Sequence, residues 1–342
     1  MSDLALLTAV LVASFLLTGV LKKVAFRIHL IDLPIARSAH VVPMPVGGGL
    51  SIVLLFLMVT SYYFVRGAIP LREFMALSGG AMIAIVGLFD DLHHLDIHWR
   101  VPVQFLAAIW SVWWLGNVPS ISIGEFVLNV HWLLNGLAVL ALVWLINLYN
   151  FMDGIDGLAG GQLVFVTAAS STLATINADQ TLALLSGVLL AAGAGFLVWN
   201  WAPAKIFMGD VGSGFIGFTV GVFALFSMHH GSMTVWTWVI LLAVFITDTT
   251  VTVIRRCVSG QKWLEGHSTH AYQNAARRYK SHSKVTITVV LINCIWLAPL
   301  AWLSVRQPQL GGYLAFIALV PLSLLATILK AGKSVEVALL PP

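Results

Sequence analysis

Long apolar stretches separated by short polar segments extend along most of the chain. A helix of about 20 apolar residues spans the ~30 Å hydrocarbon core of a bilayer. The pattern predicts about eleven such helices, or ten because the fourth and sixth are short, at residues 4–21, 47–65, 74–89, 101–116, 131–148, 160–176, 181–199, 211–228, 234–254, 285–304 and 311–329. A β-barrel is disfavoured, since its strands alternate apolar and polar residues. The pattern therefore indicates an all-α, polytopic integral membrane protein, with residues 1–342 forming one helical transmembrane domain.

The composition supports a membrane protein. Of the 342 residues, 59% are hydrophobic and only 9% are charged, whereas soluble domains carry roughly 25% charged residues. The net charge of +4 is attributed to membrane topology, so no nucleic-acid partner is expected. Cys257 and Cys294 have no metal-ligand partners at useful spacing, which argues against a disulfide framework or a zinc site.

The basic residues predict an orientation. With eleven helices, 15 of the 18 Lys and Arg residues fall on one side, which the positive-inside rule assigns to the cytoplasm. The N-terminus is then outside and the C-terminus is cytoplasmic. Asp3 precedes the first apolar run and Lys22 follows it, the reverse of a signal peptide, so the first helix is expected to remain as an anchor.

The acidic residues gather on the same side, although the positive-inside rule does not require it. Nine of the 14 Asp and Glu residues lie there, which favours an active site on the cytoplasmic face. Asp248 alone lies clearly inside a helix, where an acid is a functional candidate. It is expected to pair with Arg255 or Arg256, or to bind substrate.

The first acidic motif ends the third predicted helix. Asp90 and Asp91 are adjacent carboxylates at a membrane boundary, which is costly unless they are paired, hydrated or metal-bound. Mg²⁺ prefers such hard oxygen ligands. Arg100 opens the next helix, where it either contacts phosphate or anchors the helix at the interface. A solvated helix end is the alternative interpretation of this motif.

The second motif combines amides, acids and glycines. Asn150, Asp153 and Asp156 are spaced three apart, so on a helical turn they share one face. The glycines around them allow a ligand to approach the backbone closely. The alternative is an interhelical turn with capping aspartates.

The third motif places Lys205 five residues before Asp210, at the entrance to a helix that starts with Gly212, Ser213 and Gly214. A lysine and a helix N-terminus both favour a phosphate. The alternative is that Asp210 is simply the N-cap of this helix.

Two further loops carry histidine and arginine. His267 and His270 lie in the longest inner loop, and Arg37 and His40 follow the first helix. These residues suit an anionic substrate or a lipid head group. Taken alone, the histidine loop is better explained as a basic cytoplasmic loop with incidental histidines, whereas the loop after the first helix fits either interpretation equally.

The motifs resemble, in this order, the polyprenyl-phosphate N-acetylhexosamine-1-phosphate transferase superfamily, glycosyltransferase family 4. The resemblance rests on FDD at 89–91, NLYNFMDGIDGLAGG at 147–161, KIFMGDVGSG at 205–214 and HSTHAYQ at 267–273. The form of the last two motifs is most similar to the bacterial subgroup that initiates O-antigen synthesis. One departure is Val46, where the family often has arginine, which weakens a phosphate role for that loop.

The resemblance implies a reaction at the bacterial inner membrane, with the active site facing the cytoplasm. A UDP-linked N-acetyl amino sugar donates sugar 1-phosphate to undecaprenyl phosphate and UMP is released, with Mg²⁺ as cofactor and Mn²⁺ as an alternative. The expected donor is a 6-deoxy sugar, N-acetylfucosamine or N-acetylquinovosamine, followed by N-acetylglucosamine. Membrane lipid is an expected partner, and a homodimer is left open.

The motifs and the resemblance together give the expected roles. Asp90, Asp91, Asp153 and Asp156 are the catalytic candidates, with Asp90 orienting or deprotonating the acceptor phosphate. Asp210 and Asp91 are the candidate metal ligands. Direct attack by the lipid phosphate and a covalent aspartyl intermediate are both left open. The substrate-binding candidates are Asn150, Lys205, His267, His270, Arg100 and Arg37.

A transporter and an aspartyl protease would each require a different arrangement of acidic residues. An ion-coupled transporter of an anionic substrate would place its acids near mid-membrane in broken helices, whereas only Asp248 lies clearly inside a predicted helix. An intramembrane aspartyl protease would need two buried aspartates in facing helices and no amide or histidine motif.

Overall fold

The computed structural model describes residues 3–34, 42–261 and 268–333, which are predominantly helical. The helices are α1 (Asp3–Arg27), α2 (Leu50–Val65), α3 (Leu71–His93), α4 (Ile97–Leu115), α5 (His131–Phe151), α6 (Leu158–Ile176), α7 (Gln180–Asn200), α8 (Asp210–His230), α9 (Val235–Leu241), α10 (Ala243–Val258), α11 (Ala271–Tyr279), α12 (His282–Ile292), α13 (Ala298–Arg306) and α14 (Gly311–Ile328). A π-helical turn, Asn293–Leu297, joins α12 to α13, and a 3-10 turn, Pro308–Leu310, precedes α14.

Two short antiparallel hairpins accompany the helices. Strand β1 (Ile31–Asp32) pairs with β2 (Met44–Pro45), and β3 (Ile121–Ile123) pairs with β4 (Phe126–Leu128). The sequence pattern predicted neither, because strands of two or three residues carry too few positions for a visible alternation.

All eleven predicted apolar segments fall on helices, which confirms the all-α polytopic class. Among the described residues, eight helical segments are long and apolar enough to span a membrane. A ninth span results if α9 and α10, bent by 79° at Leu242, count as one. Helix α2 is shorter and α4 is not among the eight, so this criterion gives fewer spans than the eleven predicted.

Helix α8 lies at the centre of the bundle. Its large side chains, including Phe215, Phe218 and Phe223, are fully buried. It packs along α3 and α5, and a glycine permits the closest approach to α3. A Cβ atom on Gly87 would lie 2.7 Å from the backbone nitrogen of Val211. This contact sets the two acidic ends of α3 and α8 side by side.

The opposite end of α8 is held by an ion-pair cluster. His230 places Nε2 3.0 Å from Oε1 of Glu73 on α3 and Nδ1 3.0 Å from Oδ2 of Asp179 at the start of α7. Ser232 also donates a hydrogen bond to Asp179. With 21 residues, α8 is about 30 Å long, so this cluster is a membrane thickness away from Asp210.

Asp248 has a different partner from those expected. Its carboxylate accepts hydrogen bonds from the backbone N–H groups of Ala271 and Tyr272, both at 2.8 Å, and lies 3.2 Å from Nδ1 of His270. It therefore caps the N-terminus of α11 from α10. The predicted pairing with Arg255 or Arg256 is wrong, because the unpaired N–H groups of a helix start outcompete an arginine about two turns farther along the same helix.

Candidate active site

Four helix ends bring four predicted site residues together. Asp90 is near the end of α3, Arg100 is in the first turn of α4, Asn150 is in the last turn of α5 and Asp210 begins α8. The Arg100 guanidinium forms ion pairs with Asp90 and, at 3.2 Å, with Oδ2 of Asp210. The Asn150 amide donates a 2.6 Å hydrogen bond to Oδ1 of Asp210. The two oxygens of Asp210 thus have different partners, and the carboxylate is held in one orientation.

Asp91 anchors the start of α8. Its Oδ1 accepts the backbone N–H of Asp210 at 2.8 Å and its Oδ2 accepts that of Val211 at 3.1 Å. A carboxylate here satisfies two N–H groups that the helix leaves unpaired and interacts favourably with the helix dipole. Gly209 has φ +79°, and a Cβ on it would lie 2.6 Å from Oδ2 of Asp91. Asp91 thus positions Asp210, and its role as a metal ligand stays a prediction.

A cleft opens beside these side chains. Its lining combines polar side chains with apolar side chains and two glycines: Arg100, Gln104, Asn150, Asp210, Ile83, Val86, Ile146, Gly87 and Gly214. The Asn147 amide donates a 2.8 Å hydrogen bond to Oε1 of Gln104 and so joins α4 to α5. Charged and apolar side chains therefore line the same cleft.

Asp153 lies in the turn between α5 and α6. Burial, together with the nearby carboxylates of Asp210, Asp91 and Asp156, raises the pKa of Asp153 well above its usual range. The negative potential from these three neighbouring carboxylates disfavours the ionised form of Asp153 and favours a proton or a cation there. The predicted grouping of Asp153 with Asp90 and Asp210 at one end of the bundle is therefore observed.

Asp156 faces away from this group toward the loop before α8. Its Oδ2 accepts the backbone N–H of Ala204 at 3.0 Å, and its Oδ1 lies 3.2 Å from Nδ1 of His282. The hydroxyl of Thr286 donates to its backbone carbonyl. These contacts make Asp156 a tie between the α5–α6 turn, the 201–209 loop and α12, whereas a catalytic role for it stays a prediction.

The end of the histidine loop docks on the second motif. His270 is buried beside Asp248, and the Tyr272 hydroxyl donates a 2.9 Å hydrogen bond to the carbonyl of Phe151. Burial raises the pKa of Tyr272 well above its usual range, so its hydroxyl stays a donor. His270 and Tyr272 thus support the end of α5, one residue from Asn150, and no contact brings His270 into the cleft.

Lys205 also lies apart from the carboxylates. Its ammonium group is 5.6 Å from the ring centroid of Trp199, and no ion pair joins it to an acid in the described ranges. Its role in binding substrate stays a prediction. Three residues singled out from the sequence, Arg37, His40 and His267, lie outside the described residues.

His282 was missed by sequence reasoning. It begins α12 and faces Asp156, but a single histidine before an apolar run gives no signal of a partner 126 residues away.

The donor chemistry fits the expected metal at two carboxylates. Arg100 lies between Asp90 and Asp210, at the point where the site concentrates negative charge. No three His, Cys, Asp or Glu side chains in the described ranges form a metal-binding group. Mg²⁺ in phosphate-transfer sites is usually held by only one or two carboxylates, with water and substrate phosphates completing the shell. Asp90 and Asp210 meet that requirement.

Comparison with known proteins assigns the family. The model of glycosyl transferase family 4 matches residues 73–228, which include Asp90, Arg100, Asn150 and Asp210. A decaprenyl-phosphate N-acetylglucosaminephosphotransferase of Mycolicibacterium smegmatis is 30% identical over 325 residues, covering 83% of this chain and 78% of that protein. The chain belongs to glycosyl transferase family 4.

Other family 4 relatives agree. A probable undecaprenyl-phosphate N-acetylglucosaminyl 1-phosphate transferase of Bacillus subtilis is 29% identical over 324 residues, 93% of this chain and 89% of that protein. An undecaprenyl-phosphate alpha-N-acetylglucosaminyl 1-phosphate transferase of Thermotoga maritima is 29% identical over 210 residues, 60% of each chain. The predicted family resemblance is confirmed, and membership of family 4 gives no support to the transporter alternative.

Proposed function

We propose that this protein transfers an N-acetylhexosamine 1-phosphate from a UDP-sugar to undecaprenyl phosphate. The observation that carries the proposal is the convergence of Asp90, Arg100, Asn150 and Asp210 from four helices at one end of the bundle, within the segment that matches the family. An oxygen of the lipid phosphate attacks the sugar-bearing phosphorus of the donor. The bond from that phosphorus to the bridging oxygen breaks, and UMP leaves with the oxygen.

The site must bind two negatively charged substrates next to each other. Both are anions, so phosphoryl transfer requires neutralisation of charge and in-line placement of the nucleophile. Arg100 is the cation of the cleft and is placed to receive a phosphate once Asp90 and Asp210 are neutralised by another cation. A phosphate monoester is largely ionised near neutral pH, so the attack needs little help from a base. Asp90 then acts by orienting the acceptor.

Mg²⁺, with Mn²⁺ as the alternative, is proposed to bind to Asp90 and Asp210, with Asp91 as the further candidate from the sequence. When bound, it would supply positive charge against the donor diphosphate. Asn150 holds Asp210 in the orientation for this, and Asp91 holds the backbone of Asp210.

The location follows from the two substrates. The donor is soluble and the polyprenyl tail lies in lipid, so a site at the membrane boundary serves both. The positive-inside distribution supports a cytoplasmic position for the helix ends that carry Asp90 and Asp210. We propose a multi-pass protein of the bacterial inner membrane, with its N-terminus outside and its C-terminus in the cytoplasm.

The donor sugar remains to be assigned. The names of the Bacillus, Mycolicibacterium and Thermotoga relatives specify N-acetylglucosamine. They favour UDP-N-acetylglucosamine as the first donor to test, ahead of the 6-deoxy sugars expected from the motif forms. Initiation of O-antigen or a related surface polysaccharide is the proposed cellular role.

The test is UMP release by the purified protein with undecaprenyl phosphate and Mg²⁺, across a panel of UDP-N-acetyl amino sugars. We expect release that requires the lipid phosphate and the metal, with formation of a lipid-linked sugar diphosphate. Asp210→Asn should abolish it, whereas Asp96→Asn should not, since Asp96 is an exposed acid near the same helix ends. A donor panel without lipid-dependent UMP release would contradict the proposal.

A further inference from the structure

Two lysines approach one indole ring at the edge of the bundle. The ring of Trp199, near the end of α7, has Lys22 Nζ at 5.5 Å and Lys205 Nζ at 5.6 Å from its centroid. Lys22 lies near the end of α1, and Lys205 lies in the loop between α7 and α8. The two ammonium groups are therefore at most about 11 Å apart, each at a distance typical of a cation–π contact.

Contacts with α1 hold the Trp199 ring in place. The Trp199 indole N–H donates a 2.9 Å hydrogen bond to the carbonyl of Phe15, and the Phe15 ring stacks on it with centroids 5.3 Å apart. Gly19 leaves room for the ring, because a Cβ there would lie 2.9 Å from it. The backbone N–H of Lys205 donates to the Trp199 carbonyl at 2.8 Å. Ring and loop thus form a fixed platform for two cations.

The two lysines have no acidic partner in the part of the chain that the structure describes. Across residues 3–34, 42–261 and 268–333, no carboxylate forms an ion pair with Lys22 or Lys205. Arg100, by contrast, forms ion pairs with two carboxylates. Two cations that share one ring and have no carboxylate partner among these residues form a locus of positive charge that favours an anion.

The platform lies next to an exposed apolar surface of α1. Lys22 continues the face of α1 that packs on α7, where Ser14 donates to the Ala192 carbonyl. The adjacent face of α1, with Leu16 and Val20, is exposed and apolar, as a lipid-facing surface must be. The cations therefore lie beside an exposed apolar surface of α1, at the same end of the bundle as Asp210.

We propose that Lys22, Trp199 and Lys205 bind the phosphate of an anionic phospholipid head group, at a site separate from the reaction cleft. Basic residues at a membrane surface attract anionic lipids. Both ammonium groups lie next to the same indole, so both would attract one phosphate bound there, while the acyl chains would lie along Leu16 and Val20. The site would attach α1 and the loop before α8 to the same lipid molecule.

The test compares the protein in phosphatidylcholine nanodiscs with and without phosphatidylglycerol. Native mass spectrometry counts the phosphatidylglycerol retained, and titration gives its relative affinity. The double variant Lys22→Gln/Lys205→Gln should weaken retention about 25-fold, or about 5-fold for each lysine. The matched control is Lys23→Gln/Lys284→Gln, which removes two exposed lysines at the same end of the bundle with the same change of net charge.

Equal retention by the double variant and its control would overturn the proposal. So would inorganic phosphate if it stabilised the protein in phosphatidylcholine alone and lost that effect in the same variant, since the site would then take a soluble anion. Thermal unfolding in phosphatidylcholine checks that both double variants are folded. If the first is not, the exposed Lys205→Gln alone should show the roughly 5-fold loss.

Discussion

The side-chain amide of Asn150 donates a 2.6 Å hydrogen bond to Oδ1 of Asp210, and so joins the end of α5 to the start of α8. The same nitrogen lies 3.2 Å from the Ser213 hydroxyl. This neutral donor leaves Oδ2 of Asp210 to face Arg100. Asn150 therefore orients the acid that the proposed function depends on most, without adding charge to the site.

Asn150→Leu should lower kcat about 100-fold while the protein stays folded. The change keeps the size of the side chain but removes the donor, which costs the orientation of Asp210 by about 2–3 kcal/mol. The measurement is the rate of UMP release together with thermal unfolding. Asn135→Leu is the control on the same helix, because Asn135 hydrogen-bonds Val118 and Asn117 far from the site. It should lower stability and leave kcat unchanged, and equal losses of kcat would contradict the role of Asn150.

The sequence motifs predict well which residues lie close together, but they predict the role of each residue less well. Asp90, Arg100, Asn150 and Asp210 meet because each lies at a helix end on one side of the predicted bundle, which spacing and charge made visible. Asp91 and Asp248 instead cap α8 and α11. A sequence does not show which backbone N–H groups will lack a partner, so capping from a distant helix cannot be separated from ligand binding.

The bend between α9 and α10 could not be predicted from the sequence either. The run 234–254 is continuously apolar and was predicted as one helix, yet the chain turns by 79° at Leu242. No proline or glycine marks the break. Packing of α10 against α14 and α5 accompanies the turn, and tertiary contacts of this kind leave no local pattern.

Arg100 balances the charges of Asp90 and Asp210, and this has a consequence for metal binding. Arg100→Gln should lower the unfolding temperature without divalent cations, because two neighbouring carboxylates lose their counter-charge. Added Mg²⁺ should then raise that temperature more in the variant than in the wild type, since no guanidinium competes for the two acids. Thermal unfolding across a Mg²⁺ titration measures both effects. Arg278→Gln removes an exposed arginine and should show neither, whereas an unchanged response in Arg100→Gln would refute the competition.

The contact of α3 with α8 at Gly87 predicts a steric effect on the site. A Cβ at Gly87 would meet the backbone of Asp210 and Val211 at less than 3 Å, so Gly87→Ala must push the two helices apart. We expect at least a 10-fold loss of activity, because Asp90 and Asp210 move relative to each other. Gly136→Ala on α5 is the control, since nothing lies within 4 Å of its Cβ position. That change should leave UMP release intact, and full activity of Gly87→Ala would show that the helix spacing tolerates the methyl group.

Replacement of Asp248 is expected to lower the free energy of unfolding and not to act on the reaction directly. Asp248→Ala removes the acceptor of the buried Ala271 and Tyr272 N–H groups and one neighbour of the His270 ring. The expected cost is about 3–5 kcal/mol, as for a broken buried pair, and Asp248→Asn should cost less because one oxygen remains to accept a bond. Chemical unfolding of both variants in detergent gives the difference. A direct role in substrate binding would instead raise KM in a fully stable Asp248→Asn protein.

The cluster at the far end of α8 predicts a pH dependence of stability. Burial opposes ionisation of Asp179, but hydrogen bonds from His230, Ser232 and the Leu182 N–H outweigh it, so the pKa of Asp179 is lowered. A lowered pKa in the folded state means that the ionised carboxylate adds stability above its unfolded pKa of about 3.9, and that this contribution disappears as the pH falls through the folded value. Asp179→Asn should therefore cost about 1–3 kcal/mol at pH near 7, and the difference from the wild type should shrink below pH of about 4. Thermal unfolding from neutral to acid pH measures it, with the exposed Glu125→Gln as the control. A difference that stayed constant down to acid pH would mean that Asp179 acts by its shape and hydrogen bonds and not by its charge.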